Sequence, residues 1–201
     1  MDRHGAAMTV DEAMSATPRG GYLPPEQQGY ASLDRALPIG FGQTNSQPST
    51  VRAMLTALQV RVGDRVLDVG SGSGWTTVLQ ARLVGPSGLV VGVELVPELT
   101  LRGRAAVQAS GMAWARVEQA DPDTLGWPPD APFDRILVSA QGETVPVALL
   151  DQLTAEGTMV LPVGGRLLRV RRGVRPEVLG SYVFVPLVTD TGPRPVPGIG
   201  P

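Results

Sequence analysis

The 201-residue sequence predicts an α/β domain with a central, mainly parallel sheet and helices on both faces. Short apolar runs that fit buried strands alternate with amphipathic helical segments between residues 49 and 155, which is typical of βαβ units. The last strand-like runs have no helix between them, so we expect antiparallel late strands. Hydrophobic residues make up 42% of the chain and charged residues 18%, an ordinary balance for one globular domain.

The first 48 residues show little regular pattern. Residues 1–8 are predicted to be disordered. A short helix within residues 8–20 should end before Pro18, because the residue before a proline avoids the helical region. The following stretch, to residue 48, is rich in Pro, Gly and Gln and is predicted to be a long irregular segment, a kind of loop that is often functional.

The regular part begins at Ser49, where Ser49 or Thr50 can cap an amphipathic helix. Helices are also predicted from Trp75 to Leu83 and from Val96 to Ser110. The four apolar runs predicted to be buried strands are RVLDVG, LVVGVEL, ARVEQAD and DRILVSA.

A further helix is predicted from Val145 to Ala155, closed by Gly157 at its C-cap. The late strands are predicted at TMVLPVG, LLRVRR and SYVFVPLV, and the tail from residue 189 is predicted to be flexible because it is rich in Pro and Gly.

The composition excludes several kinds of chemistry. The chain has no cysteine, which excludes disulfides, thiol catalysis and cysteine-bound zinc. Its only histidine, His4, lies in the patternless N-terminus, and we predict no metal site. A net charge of -2 does not favour nucleic acid as a partner. No apolar run approaches the ~20 residues of a membrane span, and the N-terminus lacks an apolar signal core, so we expect no membrane partner and a cytoplasmic location.

The most informative motif follows the first buried strand. Asp68 precedes Gly70-Ser71-Gly72-Ser73-Gly74-Trp75, at the strand end where open α/β sheets bind ligands. A dinucleotide loop, G-x-G-x-x-G, would have glycine at Trp75. A carboxylate at Asp68 would repel a pyrophosphate but suits a cation, such as the ammonium and sulfonium groups of S-adenosylmethionine (SAM). The motif therefore favours a Rossmann-like SAM-binding fold over a nicotinamide site, the alternative being a ligand-free turn.

Acidic residues follow the next two strands. Glu94 is placed to accept hydrogen bonds from ribose hydroxyls, with Leu95 beside it. Asp121 and Asp123 compete for a place near the adenine, and each of these carboxylates can equally be a solvated strand-end or loop charge. The predicted cofactor-binding residues are thus Asp68, Gly70, Ser71, Gly72, Gly74, Trp75, Glu94, Leu95, Asp121 and Asp123.

From Ala13 to Val188 the chain resembles the protein-L-isoaspartate O-methyltransferases. The resemblance is carried by AMSATPRGGYLP, LPIGFGQTNSQP, RVLDVGSGSGW, VVGVE, APFDRILVSA, VPVALLDQL, EGTMVLPVG and FVPLV, in that order. Its most specific stretch is Gly42-Gln43-Thr44-Asn45-Ser46-Gln47-Pro48, which general methyltransferases lack. The chain departs from the family at Asn45, where an isoleucine is usual, at Ser49, where an aromatic residue or histidine is usual, and at Gly20, where a glutamate is usual.

The resemblance implies a methyltransferase fold and methylation of the side-chain carboxylate of L-isoaspartyl residues, a protein repair reaction. It places Thr44 and Ser46 beside the methyl donor and the substrate carboxylate, and Asp68 near the reacting centre, so these three are the predicted catalytic residues. It places the peptide between the Thr44 to Gln47 loop and the late strands. The implied organisation is a substrate or lid segment over 9–48 and a SAM-binding core over 49–188, in a monomer whose partner is a protein or peptide.

The implied methyl transfer needs no general base, because a carboxylate acceptor is already ionised at neutral pH. We expect Ser46 to donate a hydroxyl hydrogen bond to that acceptor, the bland alternative being a turn residue before Pro48. Three other functions stay open. The substrate can be an aspartate residue in one dedicated peptide, or the protein can bind SAM without catalysing a reaction. The least favoured alternative is a nicotinamide-dependent oxidoreductase, because Trp75 stands where a dinucleotide loop has glycine.

Overall fold

The computed structural model describes residues 7–187 and begins with a small N-terminal layer. Helix α1 spans Val10–Ser15 and starts there because the Thr9 hydroxyl accepts from the Glu12 amide at 3.2 Å while the Glu12 carboxylate accepts from the Thr9 amide at 2.8 Å. A 3-10 turn and the short helix α2 (Pro25–Gln28) follow, as does an antiparallel hairpin of β1 (Leu37–Gly40) and β2 (Gln43–Asn45).

The rest of the described chain, up to residue 187, forms a seven-stranded sheet and its helices. The elements are α3 (Pro48–Leu58), β3 (Arg65–Val69), α4 (Trp75–Val84), β4 (Leu89–Glu94), α5 (Pro97–Ala109), β5 (Ala115–Gln119), β6 (Phe133–Val138), α6 (Val147–Leu150), β7 (Leu153–Val163), β8 (Arg166–Val170) and β9 (Glu177–Ser181).

The strand order is β5-β4-β3-β6-β7-β8-β9. The first five strands in this order are parallel, and β8 and β9 are antiparallel. This confirms the predicted fold class.

Alternate residues of the central strands point into two apolar layers, as the two-residue period of a strand requires. Leu67 and Val69 of β3 pack into a core with Phe133 and Leu149, on the face that carries α6. Val66 points to the opposite face, where α3, α4 and α5 contribute the buried side chains. Helices therefore cover both faces, the longer ones on a single face. None of the helices within residues 7–187 is long and apolar enough to cross a bilayer.

The N-terminal segment is more regular than its composition predicts. The stretch predicted to be irregular contains the β1–β2 hairpin, whose connection places Gly40, Phe41 and Gly42 at positive φ. These strands have three or four residues, too short for a periodic pattern to reveal. The hairpin buries Leu37 and Ile39 against Leu99 of α5.

The predicted cap of α3 is wrong. The helix begins at Pro48, and its N-cap residue, Gln47, makes no capping hydrogen bond with its side chain. The Asp34 carboxylate instead accepts from the Ser49 amide at 2.8 Å and from Gln47 Nε2 at 3.0 Å. An aspartate fifteen residues upstream thus supplies the acceptor that the first turn requires.

Two predictions near the C-terminus are also wrong. The helix predicted to run to Ala155 is only α6, and Gly157, predicted to be its C-cap, lies inside β7. The pairing of β6 with β7 shifts between Phe133 and Arg135, which leaves a bulge in β7 that includes Gly157. A Cβ on Gly157 would lie 2.9 Å from Leu153 Cδ2, so this close packing requires glycine.

The last strand is β9, which ends at Ser181, where the predicted strand SYVFVPLV would begin. Residues 182–187 run back across the carboxyl edge of the sheet, with a single bridge between Gln141 and Pro186. The predictions for residues 1–6 and for the tail from residue 189 lie outside the described residues, as does Val188.

Candidate active site

The glycine loop lies at the carboxyl end of β3 and turns sharply into α4. The amides of Gly70 and Ser71 both donate to the carbonyl of Val93, at 2.9 and 3.1 Å, which ties the loop to the end of β4. Gly70, Gly72 and Gly74 have φ values of 76°, 54° and 86°, a region that side chains disfavour. The three glycines therefore set the path of the loop.

The loop also lies close to its neighbours. A Cβ on Gly74 would lie 3.0 Å from Gly103 Cα of α5, and a Cβ on Gly72 would lie 3.2 Å from Ile39 Cδ1 of the hairpin. The Arg102 guanidinium of α5 donates to the Ile39 carbonyl at 2.9 Å and holds the hairpin in this position. The hairpin therefore packs directly against the glycine loop.

Asp68 is fully buried beneath the loop. Its Oδ2 accepts from the hydroxyls of Thr76 and Thr77 at 2.8 and 2.7 Å, while Oδ1 has no partner within the described chain. Burial raises the pKa of Asp68 to about 6, against the lowering effect of the Thr77, Thr76 and Gln80 side chains, and the charge of Glu94 raises it further.

Glu94 is 7% exposed at the end of β4. Its Oε2 accepts from the Gly72 amide at 2.8 Å, and its Oε1 accepts from the Val96 amide at 2.9 Å. Each oxygen keeps a second lone pair, so the carboxylate can still accept from two hydroxyl groups of a ligand.

The two buried carboxylates lack a cationic partner. Among residues 7–187 neither Asp68 nor Glu94 forms an ion pair. The hydroxyl of Ser71, also buried, has no hydrogen-bond partner there either. Buried charge and polar groups without partners are costly, and a cationic ligand with polar groups would compensate both. The positively charged sulfonium and ammonium groups of SAM fit these negatively charged and polar groups.

The loop after β5 lies beside the end of β4. The Ala120 amide donates to the Glu94 carbonyl at 2.9 Å, and Gln119 Nε2 donates to the carbonyl of Leu95 at 2.9 Å. Asp121 accepts from the Asp123 amide at 2.9 Å and so shapes the turn, and both carboxylates are exposed. Both lie on the loop predicted to meet adenine, and the choice between them stays open.

Trp75 packs away from the loop that precedes it. Its side chain is buried against α1 and α3, and its indole N–H donates to the Thr17 carbonyl at 3.0 Å. The Arg19 guanidinium lies 5.7 Å from the centre of the ring. Of the groups of Trp75, only the backbone amide remains a candidate for ligand binding, at the start of α4.

A groove of about 840 Å³ lies between the β2–α3 connection and the chain after β9. Thr44 and Ser46 line it on one side, the first exposed and the second half-buried. The complete lining is Ala36, Thr44, Ser46, Gln47, Ser49, Thr50, Ser139, Gly165, Ser181, Tyr182, Val183, Phe184 and Val185. Ser139 connects this groove with the glycine loop, since a Cβ on Gly70 would lie 3.8 Å from Ser139 Cβ.

Comparison with protein families decides the relationship. Residues 2–191 match the family model "Protein-L-isoaspartate(D-aspartate) O-methyltransferase". The chain belongs to this family. Among curated members, it is 41% identical over 189 residues to protein-L-isoaspartate O-methyltransferase 1 of Rhodopseudomonas palustris, covering 90% of this chain and 76% of the relative. It is 41% identical to the Myxococcus xanthus protein-L-isoaspartate O-methyltransferase, covering 93% and 92%.

Solved structures agree with this membership. A protein-L-isoaspartate O-methyltransferase superposes with a TM-score of 0.78 at 25% identity, over 89% of this chain and 60% of that one. A Plasmodium falciparum protein, solved with S-adenosyl-L-homocysteine, shares the fold with a TM-score of 0.74 at 22% identity, over 89% of each chain.

Sequence reasoning about this family member missed several groove residues. Ser139 was overlooked because it follows β6 without any motif, although every strand end at this edge of a parallel sheet faces the ligand side. Tyr182–Val185 were assigned to a strand, and nothing in an alternating apolar run reveals that it leaves the sheet. Asp34 was missed because its contact with Ser49 is not local in sequence.

Proposed function

We propose that this chain is a SAM-dependent O-methyltransferase that methylates the free carboxylate of L-isoaspartyl residues in proteins or peptides. One observation carries the proposal. The groove lined by Thr44, Ser46 and Ser139 lies directly beside a glycine loop next to two buried carboxylates that form no ion pair within residues 7–187. A methyl donor on the loop and a peptide in the groove would therefore meet at Ser139 and Ser46.

On the cofactor side, Glu94 would accept hydrogen bonds from the ribose hydroxyls while its contact with the Gly72 amide keeps the loop in place. Asp68 would offset the positive charge of the ligand from beneath the loop. The loop after β5, with Asp121 and Asp123, would border the adenine, close to Leu95. Ser71, Gly70 and Gly74 complete the proposed cofactor site.

On the substrate side, the Ser46 hydroxyl would donate to one oxygen of the acceptor carboxylate and so orient the other toward the methyl group. Thr44 lies two residues away, also lines the groove and would support the backbone of the loop. The acceptor is already ionised at neutral pH, so no residue has to remove a proton. A site without a cysteine, and without a histidine among residues 7–187, is sufficient for this reaction.

When bound, SAM would supply the methyl group: the bond between methyl and sulfur would break as the bond to the carboxylate oxygen forms, and the sulfonium would become a neutral thioether. Two opposite charges are neutralised in this step, so a site that excludes water favours it. Ile39, seated over Gly72, places an apolar side chain at the loop and excludes water there. The rest of the rate acceleration comes from holding the carboxylate oxygen in line with the methyl group.

The test uses methyl-labelled SAM and two peptides that differ only in one isoaspartyl or normal aspartyl linkage. We expect base-labile label on the isoaspartyl peptide alone. Ser46→Ala should lower kcat by about tenfold to a hundredfold while the SAM Kd changes less than twofold, because its hydroxyl meets only the acceptor.

Two other results would overturn the proposal. Label on the normal aspartyl peptide alone would move the client to aspartate. Tight SAM binding with no label on either peptide would indicate a dedicated client or a protein that binds SAM without turnover. A collapse of SAM binding in Ser46→Ala would disprove the role given to Ser46.

A further inference from the structure

A buried arginine organises the segment that precedes α3. The Arg19 side chain is 5% exposed, and its guanidinium donates to four oxygens: Asn45 Oδ1 at 2.7 Å and the carbonyls of Asn45, Arg35 and Leu33 at 2.7, 2.9 and 3.2 Å. Burial lowers the pKa of Arg19 to about 10, so it stays charged at neutral pH. All four acceptors are neutral, and all belong to one stretch, residues 33–45.

Arg19 fixes the orientation of the Asn45 side chain. A guanidinium only donates, so the amide oxygen of Asn45 must face it and the amide nitrogen must face the other way. That nitrogen donates to Ser73 Oγ at 3.3 Å. Asn45 and Ser73 are both 6% exposed, so water does not compete for this contact.

This bridge joins the two halves of the active site. Asn45 lies between Thr44 and Ser46, which line the substrate groove, and Ser73 lies between two glycines of the loop proposed to hold SAM. Within residues 7–187 it is a direct side-chain hydrogen bond between the two segments. Asn45 and Gly20, two of the departures from the family pattern, both adjoin Arg19.

We propose that Asn45 is a positioning residue, held by Arg19 and bonded to Ser73, which sets the acceptor-binding wall of the groove at a fixed distance from the methyl donor. Asn45 touches neither reactant. Its effect is on the alignment of Ser46 with the glycine loop, and it also makes the loop and the hairpin segment respond together when the cofactor site fills. This inference rests on the proposed function, since it assumes that the peptide and SAM occupy these two sites.

The first test is kinetic. Ser73→Ala removes only the bridge, and we expect kcat on the isoaspartyl peptide to fall about tenfold, because misalignment of reacting groups by ~1 Å costs up to a hundredfold. The Kd of S-adenosylhomocysteine and the Tm should stay close to those of the unchanged protein. Ser87→Ala, an exposed serine in the turn before β4, is the matched control.

Two substitutions at Asn45, to leucine and to aspartate, distinguish loss of the Asn45–Ser73 hydrogen bond from a general loss of folding. The leucine loses the contacts with both Arg19 and Ser73, and kcat should fall further than in Ser73→Ala. The aspartate can accept from Arg19 and also from the Ser73 hydroxyl, so it should recover part of the rate that the leucine loses.

The second test needs no turnover. Hydrogen exchange of residues 37–47 should slow when S-adenosylhomocysteine binds to the unchanged protein. In Ser73→Ala the ligand should still bind but this protection should be lost. Unchanged kcat and intact protection in Ser73→Ala would overturn the inference, as would a loss of kcat that merely parallels losses of Tm and ligand affinity. If the unchanged protein methylates no isoaspartyl peptide, the proposed function fails, while the exchange experiment still decides whether the bridge couples the two segments.

Discussion

Replacing Asp68 by asparagine should make the ligand-free protein more stable and its SAM complex weaker. The carboxylate is fully buried, and only its Oδ2 is hydrogen-bonded, by Thr76 and Thr77. An asparagine oxygen can accept from the same two hydroxyls. Its NH2 group would replace Oδ1, next to Gln80, whose own Oε1 is buried without a partner in the described chain. The substitution therefore keeps the contacts and removes the charge.

The size of the effect follows from the pKa. Burial raises the pKa of Asp68 to about 6 from an ordinary value of 3.8. At 1.36 kcal/mol per unit this corresponds to ~3 kcal/mol of unfavourable free energy in the ionised folded state. Because the folded-state pKa is raised, the carboxyl costs nothing below pH ~4, where it is protonated in both states. The cost develops as the pH rises from about 4, where the unfolded chain ionises, to about 6, and it is complete above that pH.

The assay is urea unfolding of the ligand-free protein at pH 5 and pH 8. Asp68→Asn should gain stability over the unchanged protein at pH 8, by up to ~3 kcal/mol, and about half as much at pH 5, which lies midway between the two pKa values. The SAM Kd of the unchanged protein should weaken as the pH falls below about 6, since only ionised Asp68 offsets the ligand's charge. In Asp68→Asn the Kd should be weak throughout and independent of pH.

Asp151→Asn removes an exposed carboxylate far from the glycine loop and controls for net charge. An Asp68→Asn protein that is destabilised equally at both pH values would refute the reasoning, because it would mean that hydrogen bonding and not charge burial governs this position. An unchanged SAM Kd would refute the electrostatic role of Asp68.

Three more outcomes are expected. Gly72→Val should weaken SAM binding by more than tenfold in calorimetry, because its φ is positive and its side chain would meet the hairpin; undiminished binding would remove the glycine-loop assignment. Arg135→Met should lower the free energy of unfolding by about 1 to 3 kcal/mol, since it leaves the partly buried Asp64 carboxylate, 3.2 Å from the Arg135 Nε, without its cationic partner; a loss below about 0.5 kcal/mol would contradict this. Asp34→Ala should lower the Tm and raise the peptide KM by uncapping α3 beside the groove, whereas an unchanged KM would separate the cap from substrate binding.

The sequence predicted the central sheet well because its strands are buried on both faces. Runs such as Val66–Val69 and Val90–Val93 have a single reasonable interpretation between glycine and proline turns. The prediction was wrong where tertiary contacts override local pattern. The segment after Leu150 has helix-forming residues, but pairing with β6 draws it into β7, and the bulge at Gly157 accommodates the mismatch.

The candidate site divides in the same way. The glycine loop and Glu94 could be proposed from the sequence as cofactor-binding residues because cofactor chemistry requires these residue types at fixed spacing after a strand. The contacts that assemble the substrate side join residues far apart in the chain, such as Asp34 with Ser49 and Arg19 with Asn45. No periodicity or motif encodes such pairs, so a single sequence does not reveal them.

The thirteen residues that line the groove beside Ser46 include no Asp, Glu, Lys, Arg or His; their side chains are small, hydroxylic, amide or apolar. The Asp34 carboxylate adjoins this lining, since it accepts from Ser49 and Gln47, so the charged neighbours of a target residue would meet that carboxylate and not a charge in the lining itself. An uncharged lining suits a site that recognises the backbone and the target carboxylate and not the charges of the flanking residues, and the contribution of these thirteen residues to peptide affinity should depend little on salt.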